Sequence, residues 1–180
     1  MTRGSWIGYA HWSVAVTEPA NQNQSRHYEV AMSVEALASA WARTENGPDG
    51  SIVIADTEIS GRLRGGTPWH AGGDDALIMA MVIRPTIDPL QEALLWLVAS
   101  LGAANALADV TGNDHTVRWP DTIIRSDTDV VQCLVNVTTQ LGPGRIEHAV
   151  LAVRTHLGEL DATKDELIAS VEQELRAATR

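Results

Sequence analysis

The chain has 180 residues, is 44% hydrophobic and 20% charged, and carries a net charge of −10 at pH 7, which suits one globular domain with a real core. The acidic balance argues against a nucleic-acid partner, no run of eighteen apolar residues is present to span a membrane, and the single cysteine, Cys133, excludes an internal disulfide. With no basic-then-apolar leader at the N-terminus, the expected compartment is the cytoplasm.

Residues Met1 to Arg26 read as an N-terminal extension with at most one edge strand, Trp12 to Val16, followed by the polar run EPANQNQSR. The main domain is expected over residues 27–180. Tyr28 to Met32 has the composition of a strand. Ser33 can cap a helix from Val34 to about Thr44, with Val34, Leu37, Ala38 and Trp41 on one face. Asn46 to Gly50 is turn chemistry. Ser51 to Trp69 then opens as a β-branched strand (Ile52, Val53, Ile54) and breaks into a loop holding Gly61, Arg62, Arg64, Gly65 and Gly66. Glycine lets the backbone approach a ligand, and arginine offers planar charge-assisted donors. The loop therefore suits a phosphate or a carboxylate; a solvated turn with two arginines is the alternative.

Ala76 to Ile83 is a continuous apolar run bounded by Asp75 and Arg84-Pro85, which predicts a buried strand. Asp88-Pro89 starts a helix that runs to about Val110 and stops near Gly112. Leu90, Leu94, Leu97, Val98, Leu101, Ala104 and Leu107 keep its 3.6-residue period and are expected in the core. Thr116 to Trp119, Val130 to Thr138 and Ile146 to Val153 read as strands, the last two as a hairpin around Leu141-Gly142-Pro143-Gly144. Thr163 with Glu166 forms a capping box for a final helix. Strands and helices mix without strict alternation, which predicts an α+β fold: a mostly antiparallel sheet with helices packed on one side. No histidine makes a metal-ligand spacing with Cys133 or a carboxylate pair, so no metal is expected. His70 reads as a loop histidine, Cys133 as a buried structural thiol and Asp74-Asp75 as a turn.

The order strand, GRLRGGTPW loop, apolar strand, long helix, RWPD resembles the catalytic domain of the biotin protein ligases, a family related to the lipoate ligases and octanoyl transferases. The resemblance covers about residues 28 to 180. The family loop GRGRRGRxW matches at Gly61, Arg62, Arg64, Gly66 and Trp69, and the family KWPND falls on Arg118-Trp119-Pro120-Asp121-Thr122, matching at Trp119 and Pro120. The resemblance implies biotin and ATP/Mg as ligands, an acyl-adenylate held under the loop, and a carrier lysine as acceptor. It implies ligand-binding positions at Ser33, Glu58, Gly61, Arg62, Arg64, Gly66, Trp69, Arg118 and Trp119. Backbone N–H groups and arginines can neutralise a phosphate, and an aromatic face can stack on a purine. The family's N-terminal DNA-binding domain and small C-terminal barrel are not expected in this sequence. An RGG…H echo of the octanoyl transferases, Arg64-Gly65-Gly66 with His70, is also present.

Departures from the family pattern carry the functional expectation. The middle loop glycine is Leu63, which would hinder closure if that position needs a positive φ. The glutamine before the loop is Glu58, the Ser-Thr-Asn contact is Ser33-Val34-Glu35, and the GxGIN strand end reads Val153-Arg154-Thr155-His156-Leu157. The family's key lysine falls on Asp129, which replaces attraction for a carboxylate or phosphate by repulsion. No catalytic residue is therefore assigned. The expected function is a ligase-like domain that is catalytically degenerate and acts in binding or assembly, with a biotin-dependent carboxylase, a carrier domain or a second copy as candidate partners. An active divergent ligase or acyl transferase, with Arg62, Arg64 and Arg118 on the phosphate, and a non-catalytic ligand sensor are the alternatives. A homodimer through an exposed sheet edge is a further expectation of the resemblance.

Overall fold

The computed structural model describes residues 24–69, 73–158, 160 and 162–179; the expected strand at Trp12 to Val16, and His70, lie outside them. The strands are β1 (Ser25–Ala31), β2 (Ile52–Glu58), β3 (Ala76–Ile83), β4 (His115–Arg118), β5 (Thr122–Arg125), β6 (Val131–Gly142) and β7 (Arg145–His156). The helices are α1 (Val34–Thr44), α2 (Ala93–Thr111) and α3 (Lys164–Ala178). The seven strands form one sheet in the order β1-β2-β3-β7-β6-β5-β4. β1 and β2 are parallel and joined through α1; every other pair is antiparallel.

Local chemistry fixes the helix ends. Ser33 sits in extended backbone and its Oγ accepts from the Ala36 N–H at 3.2 Å, which starts α1. Gly112 ends α2 in the left-handed region at φ 66°. Thr163 and Glu166 form the reciprocal capping box of α3.

All eight residues of β3 are buried, the pattern of a strand covered on both faces. Leu77, Met79, Met81 and Ile83 pack with α2 and α3. Ala76, Ile78, Ala80 and Val82 face the other way, toward α1. Burial of each large side chain here contributes about 1.5–3 kcal/mol relative to exposure. The fold is α+β, as expected, with a mixed sheet. Two helices share one face and the short α1 covers part of the opposite one, because β2, β3 and β7 are apolar on both sides.

α2 is the element whose packing differs most from expectation. Its buried face is made of small residues, Ala99, Gly102, Ala103 and Ala106, with Leu95 and Leu107. A Cβ on Gly102 would meet Leu175 Cδ2 at 2.9 Å, so α2 and α3 approach closely there. Leu94, Leu97 and Leu101 instead lie on the outside, 44%, 40% and 46% exposed, and Leu90, 94% exposed, falls in a 3-10 turn (Pro89–Gln91) before the helix and not in the helix as expected. By length and composition α2 is apolar enough to cross a bilayer, because its alanines raise the average without forming an unbroken apolar run. In this fold it is the helix under the sheet.

Candidate functional site

The Gly61 to Trp69 loop is a small closed hairpin. Trp69 N–H donates to Gly61 O at 3.0 Å, Leu63 N–H to Thr67 O at 2.8 Å and Gly66 N–H to Leu63 O at 3.0 Å. The two left-handed positions are Gly65 (φ 74°) and Gly66 (φ 79°). Leu63 is extended at φ −95°, so leucine fits there without strain and the expected penalty does not arise.

The loop arginines are engaged. Arg62 Nη1 donates to Gly66 O at 3.3 Å, within the loop. Arg64 Nε donates to Asp121 Oδ2 at 2.7 Å and ties the loop to the RWPD turn. Arg118 Nη2 donates to Asp129 Oδ1 at 2.8 Å. Asp129 has a left-handed backbone (φ 58°), and its N–H donates to Arg125 O in the tight β5–β6 turn. Trp119 is 56% exposed and Ser33 serves as the α1 cap.

Beneath the loop lies a buried ionic network. Arg154 on β7 is fully buried and closes a fork on Glu58, Nε to Oε2 at 2.9 Å and Nη2 to Oε1 at 3.1 Å. Its Nη1 donates to Glu35 Oε1 at 3.1 Å, an atom that also accepts from Asn136 Nδ2 at 2.9 Å. Val34 N–H, at the α1 N-terminus, donates to Glu58 Oε1 at 2.8 Å. Burial opposes the charge on Arg154, but the Glu58 and Glu35 carboxylates outweigh it and raise its pKa above the ordinary guanidinium value. Gly61 rests directly on this network: a Cβ there would collide with Glu58 Oε2.

Trp69 is buried and its ring sits 4.6 Å from the His156 ring, tilted by 38°. His156 also lines a cavity of about 410 Å³ with Asp75, Val130, Val131, Gln132 and Gly158. Among the described residues, Trp69 Nε1 and Gln132 Oε1 are buried without hydrogen-bond partners. Cys133, next to Gln132 and 1% exposed, has its thiol pushed up to about 12 by burial, so it is a structural residue. Among the described residues no cluster of three or more His, Cys, Asp or Glu could hold a metal ion.

No model of a known protein family matches the chain. The bifunctional ligase/repressor BirA of Bacillus subtilis is 25% identical over 134 residues, 74% of this chain and 40% of BirA. Biotin protein ligase from Leishmania major in complex with biotin superposes with a TM-score of 0.69 at 15% identity, over 87% of this chain and 73% of that one. Biotin acetyl coenzyme A carboxylase synthetase from Helicobacter pylori with bound biotinylated ATP gives 0.66 at 17% identity, over 87% and 75%. The chain has the biotin/lipoate protein ligase catalytic-domain fold. It spans about two fifths of the length of the curated relatives it matches.

Within the ligase fold, the structure gathers Glu58, Gly61 and the loop at one end of the sheet. It leaves Arg62, Arg64 and Trp119 at the surface. Sequence reasoning missed Arg154, Gln132, Asn136 and His156 as neighbours of this site. The available signal was charge compensation: two carboxylates, Glu35 and Glu58, replace neutral family residues, and an arginine stands in the strand end that the family builds with glycine.

Proposed function

We propose that this domain keeps the ligase fold without forming an acyl-adenylate, and that it works as a binding or assembly domain. The observation that carries this reading is the buried Arg154–Glu58–Glu35 network. By the family resemblance, the positions of Glu58 and Glu35 contact biotin. Here both side chains are spent on an internal arginine and place net negative charge where a carboxylate ligand would sit.

Magnitudes separate this from the exposed ion pairs. Arg64–Asp121 and Arg118–Asp129 are surface pairs, each worth about 0.2–1 kcal/mol, so an incoming phosphate could displace their carboxylates cheaply. Breaking a buried pair costs about 3–5 kcal/mol, because one charge is left uncompensated. The buried Arg154 network, more than the loop or its exposed ion pairs, therefore speaks against the active-ligase reading.

The test is a thermal-shift titration with a non-hydrolysable biotinyl-adenylate analogue, paired with biotin-dependent pyrophosphate exchange in Mg-ATP. The expected result is no saturable rise in Tm and no exchange. A saturable rise with exchange overturns the proposal. A biotin-dependent carboxylase carrier domain is the first protein partner to try, scored by binding without lysine modification.

One observation favours a second reading, a non-catalytic ligand sensor. The cavity beside His156 is lined by Asp75, Val130, Val131, Gln132 and Gly158. The same titration with neutral, donor-bearing compounds tests it.

A further inference from the structure

We propose that the cavity between the start of α2 and the end of α3 binds a small apolar molecule that carries a protonated amine. The cavity holds about 290 Å³ and lies where the first turns of α2, the last residues of α3, the end of β3 and the turn at Asp49 meet. Ile83 and Leu95, 2% and 4% exposed, form its floor, and Ile87, Leu94 and Val98 continue the apolar surface toward solvent. An apolar recess with a few polar groups at its rim has the composition of a small-molecule site.

This is a separate site from the Gly61 to Trp69 loop. Ala76, at one end of β3, pairs with His156, which stacks on Trp69; Ile83, at the other end, opens into this cavity. At about 3.3 Å per residue the two ends of β3 are about 23 Å apart. A ligand here is therefore independent of whatever the loop site holds.

The rim selects the charge of the ligand. Asp49 and Arg84 both line the cavity, but the Arg84 guanidinium is engaged elsewhere. Its Nη1 donates to Glu147 O at 3.2 Å, and its Nη2 donates to Ala42 O and Gly47 O at 3.0 Å each. Ala42 lies in the last turn of α1, where helix carbonyls favour a cation. Asp49 is held at the rim by its Oδ1, which accepts from the Arg84 backbone N–H at 2.7 Å. Among the described residues its Oδ2 takes no hydrogen bond, which leaves an ion-pair acceptor beside the apolar floor. Thr179 Oγ1 donates to Leu175 O at 2.9 Å and keeps its lone pairs for a second ammonium N–H. The net charge of −10 adds a field that draws cations and turns anions away.

The experiment is a methyl-region NMR titration of the full chain with phenethylamine, using phenethyl alcohol and hydrocinnamate as the neutral and anionic counterparts. Saturable shifts are expected at the methyl groups of Ile83, Leu95 and Val98, with the amine bound tightest and hydrocinnamate weakest. Asp49→Asn keeps the Oδ1 acceptor for Arg84 and removes the charge. It should weaken the amine about two- to fivefold, the scale of a partly exposed ion pair, and leave the alcohol unchanged. Ala178→Trp, at an exposed position on the rim, should block every probe, with circular dichroism checking that the fold survives. No saturable shift at these methyls with millimolar amine overturns the proposal. So does hydrocinnamate bound as tightly as the amine, an amine advantage that survives Asp49→Asn, or binding that persists in folded Ala178→Trp.

Discussion

Arg154 and Glu58 stand 96 residues apart in sequence and meet as a two-bonded fork from β7 and β2, strands separated in the sheet by β3. The fork joins the two halves of the sheet beneath the loop, and Glu35 and Asn136 extend it to α1 and β6.

Replacing Arg154 by methionine should destabilise the domain by about 3–5 kcal/mol, since two carboxylates lose their buried cation. The double variant Arg154→Met/Glu58→Met should recover most of that loss, because an apolar pair of similar volume removes the uncompensated charge. Urea unfolding of the two variants measures both. A double variant no more stable than the single one would show that the fork is held by its geometry and not by charge.

Stability should depend on pH in two windows. Burial depresses the pKa of His115, whose Nε2 is buried without a partner among the described residues, and that of His148, where the Arg84 charge adds to the effect. The unfolded chain therefore binds protons first, and stability should fall as pH drops below about 6.5. Asp56 acts lower. Burial opposes its charge, but hydrogen bonds from Lys164 at 2.8 Å and His27 at 2.9 Å outweigh this and hold its carboxyl below the usual range. Its contribution is complete above about pH 4, the unfolded-state value, and is lost as pH falls through the lower folded one. Urea midpoints across pH should flatten in the upper window for His115→Gln/His148→Gln and in the lower one for Asp56→Asn.

Cys133 should not react with a disulfide reagent at pH 8 in the folded protein and should react fully in denaturant. Its thiol is 1% exposed and pushed up to about 12, so the thiolate that attacks is absent. Absorbance of the released thiol measures this directly.

Arg64→Ala should cost less than about 1 kcal/mol of stability, as an exposed pair does, yet it should speed amide exchange from Leu63 to Thr67. If exchange there is unchanged, the loop is held by its own backbone bonds and the Asp121 tie is dispensable.

Most of the elements were legible from local chemistry. Ser33, Gly112 and the Thr163/Glu166 box punctuate the chain where the structure places helix ends, whereas Asp88-Pro89 opens only a 3-10 turn, Pro89–Gln91, and α2 begins at Ala93. β5 was not, because Thr122 to Arg125 is too short to show a period. The packing of α2 was misread because leucine periodicity was taken as the buried face, whereas close approach to α3 demands its small residues. At the site, Glu35, Glu58 and Arg154 were each visible as departures. Their meeting was not, since pairs separated by 96 and 119 residues leave no trace in a local pattern.

The position of β7 has a consequence for how the protein is made. This strand is central in the sheet but the last of the described strands in sequence, and it pairs with β3 on one side and β6 on the other. During synthesis, β3 leaves the ribosome with eight apolar residues and one open edge, and both stay unsatisfied until residues 145–156 emerge. Pairing of β3 must therefore wait for β7, and a nascent chain stalled before residue 145 is a substrate for chaperones or for aggregation.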